Sequence, residues 1–127
     1  MVRGSCLCGD VHFEADEVPL ITSCHCSACR KAQGSAFGTF ASVPREQLRL
    51  QDPRGLVRDY ESSPGNRRPF CTACGSRVPA LGSDGTWVVP AGLFDDDPGA
   101  RNTAEDAGLH DDELGHRRHA GPVVSEE

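Results

Sequence analysis

The sequence is poor in aromatic side chains and nearly without lysine. Aromatic residues make up 6% of its 127 positions, with one Trp and one Tyr, and of 13 lysines and arginines only Lys31 is a lysine. Few aromatics beside 14 Gly and 9 Pro disfavour a helical bundle and point to a domain rich in loops and turns. The lysine deficit reads as compositional bias rather than as a phosphate-binding device. No apolar run approaches the roughly 20 residues of a membrane helix. The opening Met1-Val2-Arg3-Gly4-Ser5-Cys6 lacks the apolar core of a secretion signal. The expected setting is a reducing cytoplasm, where cysteines persist as thiols or metal ligands. Net charge is −6 at pH 7, which argues against the uniformly basic face of nonspecific nucleic-acid binding. No internal repeat is evident.

What is present is a succession of short strand signals broken by turns. The length fits one domain with a modest core. Residues 5–8 and 11–15, joined by Gly9-Asp10, read as a hairpin in which Val11, Phe13 and Ala15 alternate with His12 and Glu14. A second apolar run covers residues 20–24. Ser27 is placed to N-cap a helical turn through Arg30, Lys31 and Ala32, which Gly34 ends. Residues 36–43 read as a strand carrying Phe37 and Phe40. Further strands are expected at 48–50, 56–61, 69–71, 78–81 and 87–89. Asp52-Pro53, Ser62-Ser63-Pro64-Gly65-Asn66 and Gly82-Ser83-Asp84-Gly85 mark loops between them. The expected fold is mostly β, small sheets with one short helical turn, in a single domain over residues 1–99.

Beyond Asp95-Asp96-Asp97-Pro98-Gly99 the character changes. Residues 100–127 contain no aromatic residue, little apolar periodicity, and three of the five histidines (His110, His116, His119). Residues 104–114 have the composition of an acidic helix, but a poorly ordered polar tail is the preferred reading.

Seven cysteines carry the chemistry, as Cys6-Leu7-Cys8, Cys24-His25-Cys26-Ser27-Ala28-Cys29 and Cys71-Thr72-Ala73-Cys74-Gly75. In an extended segment residues i and i+2 share a side, so Cys6 and Cys8 can offer two sulfurs to one metal. Cys71 and Cys74 have zinc-knuckle spacing, with Gly75 free to adopt the positive φ of such a turn. Two pairs suffice for a closed tetrahedral site, leaving Cys24, Cys26 and Cys29 as an open one with a position for water or substrate. Spacing alone also admits Cys6 and Cys8 joining the middle cluster. A disulfide framework is disfavoured by the odd count and the missing signal peptide. A thioredoxin-like Cys71/Cys74 pair is disfavoured because Gly75-Ser76-Arg77-Val78 reads as turn into strand, not helix. Two Zn²⁺ per chain is the expected metal content.

Alternation turns His25 away from Cys24 and Cys26, so a role behind the ligands or at the surface is preferred to coordination. His12 is expected to face solvent. Arg67 and Arg68 are either a clamp for a substrate carboxylate or a solvated surface pair. Trp87 and Tyr60 are expected as core anchors rather than substrate platforms.

On these motifs the sequence resembles the family of glutathione-dependent formaldehyde-activating enzymes, which includes centromere-protein-V-like proteins. The matching stretches are Gly4-Ser5-Cys6-Leu7-Cys8-Gly9, Cys24-His25-Cys26-Ser27-Ala28-Cys29-Arg30-Lys31, Gly34-Ser35-Ala36-Phe37, Ser62-Ser63-Pro64-Gly65, Arg68-Pro69-Phe70-Cys71-Thr72-Ala73-Cys74-Gly75-Ser76 and Ala91-Gly92-Leu93-Phe94-Asp95. The resemblance implies a β-tent fold of small sheets braced by zinc. It further implies a structural zinc on Cys6, Cys8, Cys71 and Cys74, and a labile catalytic one on Cys24, Cys26 and Cys29. After Pro98 the chain departs from the family's usual continuation, a His-Ile-Phe-like strand and a Ser-Lys-Ala-Pro-Trp-like stretch, which implies a more open pocket.

The activity so implied is a carbon–sulfur lyase type: a small thiol such as glutathione adds to an aldehyde, formaldehyde, giving S-hydroxymethylglutathione, or the reverse. An open three-thiolate zinc is a weak Lewis acid, better suited to holding an incoming thiol as thiolate than to activating water. Arg30 and Lys31 are expected to contact the bound thiol's site and offset its added negative charge. The alternative is a non-catalytic zinc-binding interaction module. The expected partners are small molecules, not nucleic acid or membrane, and the sequence says nothing of oligomeric state.

Overall fold

The alternation at residues 11–15 persists in three dimensions: Val11, Phe13 and Ala15 are buried, while His12 and Glu14 are half-exposed on the opposite face. The structure, a computed structural model, describes residues 1–100. The expected polar tail lies, from residue 101 on, outside the described residues. Strand β1 (Val2–Ser5) pairs antiparallel with β2 (His12–Ala15), and β5 (Leu48–Gln51) completes a three-stranded sheet on the other side of β2. In a second antiparallel sheet β3 (Ile21–Cys24), β4 (Gly38–Pro44), β9 (Thr86–Pro90) and β8 (Ala80–Leu81) lie side by side in that order. Strands β6 (Val57–Ser63) and β7 (Asn66–Cys71) form a separate hairpin. One helix, α1 (Ser27–Gln33), and 3-10 turns at Arg45–Gln47 and Ala91–Leu93 complete the described elements. The fold is therefore mostly β, with small antiparallel sheets and one short helix in a single domain. No helix among the described residues is long and apolar enough to cross a membrane.

Two apolar clusters hold these sheets. The larger joins the first two sheets through Phe13, Ala15, Ile21, Ala41, Val43, Leu48 and Val89. Each large apolar side chain so buried contributes roughly 1.5–3 kcal/mol. Phe94, after the last 3-10 turn, meets Phe13 edge-on at 5.8 Å between ring centroids and bridges back to Gly4 of β1. This closure needs glycine at residue 4, since a Cβ there would lie 2.2 Å from the Phe13 ring and 2.8 Å from the Leu93 carbonyl. The smaller cluster consists of Cys6, Val11, Cys71 and Val78, with Leu50, Leu56 and Val57 packed against it. Two of its four buried members are cysteines, so apolar burial alone gives it little support.

Several local expectations are corrected. Residues 6–10 form a turn rather than an extension of the first strand. Cys6 N donates to Val11 O at 2.9 Å, Gly9 N donates to Cys6 O at 3.0 Å, and Gly9 takes φ +87°. The N-cap of α1 is Cys26, not Ser27: its extended backbone and a sulfur accepting from Cys29 N at 3.4 Å fill the capping role. Gly34 ends the helix in the left-handed conformation, as expected. The loop expected at residues 62–66 shrinks to Pro64-Gly65 between paired strands, with Gly65 at φ +81°. Tyr60 is no core anchor. It is 65% exposed on β6, because neither of the other sheets covers that face of the hairpin. Trp87 does pack against the larger core, and its indole NH donates to Arg45 O at 3.2 Å.

Candidate metal centres

The turn after β1 carries Cys6 and Cys8, and the end of β7 with its following turn carries Cys71 and Cys74. The four sulfurs gather within 4.8 Å of one another. Cys6 Sγ lies 3.6 Å from Cys8 Sγ, which lies 3.9 Å from Cys71 Sγ. Sulfurs bound at about 2.3 Å to one tetrahedral zinc stand about 3.8 Å apart, whereas a disulfide brings them to about 2.05 Å. The set therefore fits a shared metal ion.

Backbone geometry aims these sulfurs. Gly75 N donates to Cys71 O at 2.7 Å with Gly75 at φ +82°, and Cys71 N donates to Ser76 O at 2.8 Å. Ser76 ties the two cysteine pairs together: its Oγ accepts from Leu7 N at 3.0 Å and lies 3.3 Å from Cys74 Sγ. The Ser76 hydroxyl and then its backbone NH draw the Cys74 thiol down to about 5, favouring the thiolate, the form able to bind a metal. Cys8 is pushed up to about 12; the Asp10 backbone NH opposes the rise, and burial with the thiols of Cys6, Cys74 and Cys71 causes it. Sequence reasoning assigned Ser76 no role; its place two residues after Cys74 was the only signal.

The second set sits at the edge of the four-stranded sheet. Cys24 ends β3, Cys26 caps α1 and Cys29 lies in its first turn, with the three sulfurs within 4.8 Å. Cys24 and Cys26 are 3.4 Å apart. The Cys29 thiol is pushed up by its hydrogen bond with Cys24, by burial and by Cys26. Three thiols this close resist joint ionisation, and a metal cation removes that resistance. Its donor chemistry therefore fits a metal held by three protein ligands.

His25 stands outside both sets. Its ring stacks on Phe37 at 5.0 Å, and its carbonyl accepts from Arg30 Nη1. Lys31 is exposed on α1 and borders a cavity of about 520 Å³ shared with Tyr60, Arg68, Phe70 and Arg77.

A larger cavity of about 690 Å³ adjoins the three-cysteine set. Cys24 and Cys29 form part of its wall, with Phe40, Leu81, Val88 and Pro90 supplying apolar surface. Arg67, Arg68 and Arg77 supply positive charge. Arg67 is neutralised by Asp59, at 2.8 Å from Nε and 2.7 Å from Nη2, whereas Arg68 Nε donates to the Ser62 hydroxyl at 3.0 Å. Arg77 was not singled out from sequence, because only the turn after β7 brings it to this wall.

Fold and site together define a small, mostly β protein with two cysteine centres able to hold metal ions. The chain belongs to the family described as glutathione-dependent formaldehyde-activating enzyme, whose family model matches residues 1–108. Among solved structures it is similar in fold to a crystal structure of a Rhodobacter sphaeroides protein. That likeness has a TM-score of 0.61 and 20% identity, over 84% of this chain and 94% of the other. A search of curated proteins finds no match.

Proposed function

We propose that the chain is a zinc-dependent carbon–sulfur lyase-type enzyme that adds a small thiol such as glutathione to formaldehyde, or reverses the addition. In the forward direction the sulfur bonds to the carbonyl carbon and the carbonyl oxygen takes up a proton. The observation that carries the reading is the cavity of about 690 Å³ opening onto Cys24 and Cys29. It gives a thiol and an aldehyde room to meet beside a ligand set that leaves a coordination position open, as an interaction module does not require. Zinc held by Cys24, Cys26 and Cys29 would supply an ionised, nucleophilic form of the incoming thiol at neutral pH. The chain's own residues do the rest. Cys26 is fixed by the amide of Cys29, Cys24 by the end of β3, and Phe40, Leu81, Val88 and Pro90 give the cavity an apolar side. Holding two reactants in register can lower a barrier by several kcal/mol, on the order of 7–11 in favourable cases. Cys6, Cys8, Cys71 and Cys74 would hold the second, structural zinc.

Exchange spectroscopy on the S-hydroxymethyl adduct tests this, since the addition also proceeds without catalysis. The wild type should speed interconversion of glutathione and its adduct, and Cys26→Ser should return it to the protein-free rate. Equal rates with and without wild-type protein would favour the interaction-module reading.

A further inference from the structure

Most arginines placed near acids in this structure are paired. Arg3 meets Asp96 at 3.0 Å, Arg49 meets Asp16 at 3.0 Å, Arg54 meets Asp10 at 2.7 Å and Arg67 meets Asp59 at 2.7 Å. Among the described residues Arg68 and Arg77, like Arg45 and Arg58, have no carboxylate partner, but Arg68 and Arg77 also line the cavity beside Cys24 and Cys29. The antiparallel bridge between Phe70 and Arg77 brings them together. Arg77 Nε donates to Pro69 O at 3.3 Å, while its Nη1 is sealed from water with no protein acceptor. Burial and then the charge of Arg68 hold the Arg77 guanidinium below its usual value, and Cys29 acts in the opposite sense. Two neighbouring guanidinium groups repel, and an unmet buried donor is costly. An anion between them relieves the repulsion, and guanidinium is the side chain suited to a bidentate carboxylate contact. Both residues border the cavity that holds Cys24 and Cys29, as well as the adjoining one that Lys31 reaches.

We propose that Arg68 and Arg77 form an anion subsite in the wall of the three-cysteine cavity, where they take the carboxylate of the thiol substrate and select anionic thiols over neutral ones. The subsite rests on the reading that a thiol enters this cavity. It also replaces the sequence-based pairing of Arg67 with Arg68: Asp59 occupies Arg67, and Arg77, from the far side of the cysteine knuckle, takes its place.

The test uses the full chain loaded with Co²⁺, whose charge-transfer absorption reports a thiolate joining the metal. It is titrated with glutathione and with glutathione dimethyl ester, which keeps the thiol but lacks free carboxylates. Wild type should bind glutathione about tenfold more tightly than the ester, the scale of one charge-assisted contact. That preference should weaken as salt rises. Arg77→Met and Arg68→Met should each abolish the preference and leave affinity for the ester unchanged, and Arg77→Lys should keep part of it. A wild type without preference, or variants that weaken both ligands equally, would overturn the subsite and leave the thiol-binding reading standing. If neither ligand alters the wild-type absorption, both fall. Should Arg77→Met fail to retain metal, Arg68→Met and the salt dependence decide.

Discussion

Cys26 and Cys71 are both buried, yet they sit in different company. Cys71 is fully enclosed in the smaller core with Val11 and Val78, where its sulfur approaches that of Cys8. Replacing it with Ser puts a hydroxyl into that core and removes a sulfur from the set that links two chain segments. A structural metal site contributes folding free energy directly. Cys71→Ser should therefore unfold the domain or leave it insoluble, measured by circular dichroism and recovery of soluble protein. Cys26→Ser should remain folded with one metal ion fewer, because serine is itself a good N-cap and preserves the start of α1. Equal disruption by the two changes would refute the division of roles. At this scale the two cysteine sets were legible because closely spaced cysteines announce groups of sulfurs able to share a metal. Ser76 and Arg77 were not, because their importance comes from a turn that places them against residues far away in sequence.

Elements were legible wherever one face is buried. The period-two pattern of residues 11–15 named the inner face of β2 correctly, and Gly34 marked the end of α1. Prediction failed where backbone hydrogen bonding outweighed pattern. Residues 6–8 carry strand-like spacing but belong to a turn, and Cys26 takes the cap that Ser27 was expected to supply. Exposure of Tyr60 was hidden because no strand of the other two sheets pairs with the β6–β7 hairpin. The contact of β1 with the segment around Phe94 yields a test at this scale. Gly4→Ala would drive a methyl group into the enclosed Phe13 ring and the Leu93 carbonyl, and overpacking of this kind costs roughly 1–3 kcal/mol. Gly92→Ala, where a Cβ meets nothing within 4 Å, serves as the control and should change stability little. Urea unfolding of both variants checks the difference.

In the whole molecule the two cysteine sets have unequal structural roles. The four-cysteine set links the three-stranded sheet to the β6–β7 hairpin and lies in the smaller core. The three-cysteine set lies at one sheet edge beside a cavity, with all its members on β3, the cap and α1. A metal bordering a cavity exchanges with competing ligands more readily than one enclosed by four thiolates. Mild chelation should accordingly remove one metal equivalent while far-ultraviolet circular dichroism is unchanged, and the second should leave only on unfolding. Release of both in one step with loss of structure would sink the two-site reading. Which strands join into which sheet was not legible, since the pairing of β4 with β9 depends on long-range contacts that no local pattern encodes.

Strand β7 ends at Cys71, and Arg68 stands three residues before it, a span of about 10 Å along an extended chain. The hairpin is thus a cantilever, clamped at its root by Cys71 and by the pairing of Pro69 and Phe70 with Val78 and Arg77, and carrying Arg67 and Arg68 toward the free end. A loosened clamp would let that arm swing, and the cavity beside Cys24 and Cys29 would lose one wall while its own three sulfurs stayed in place.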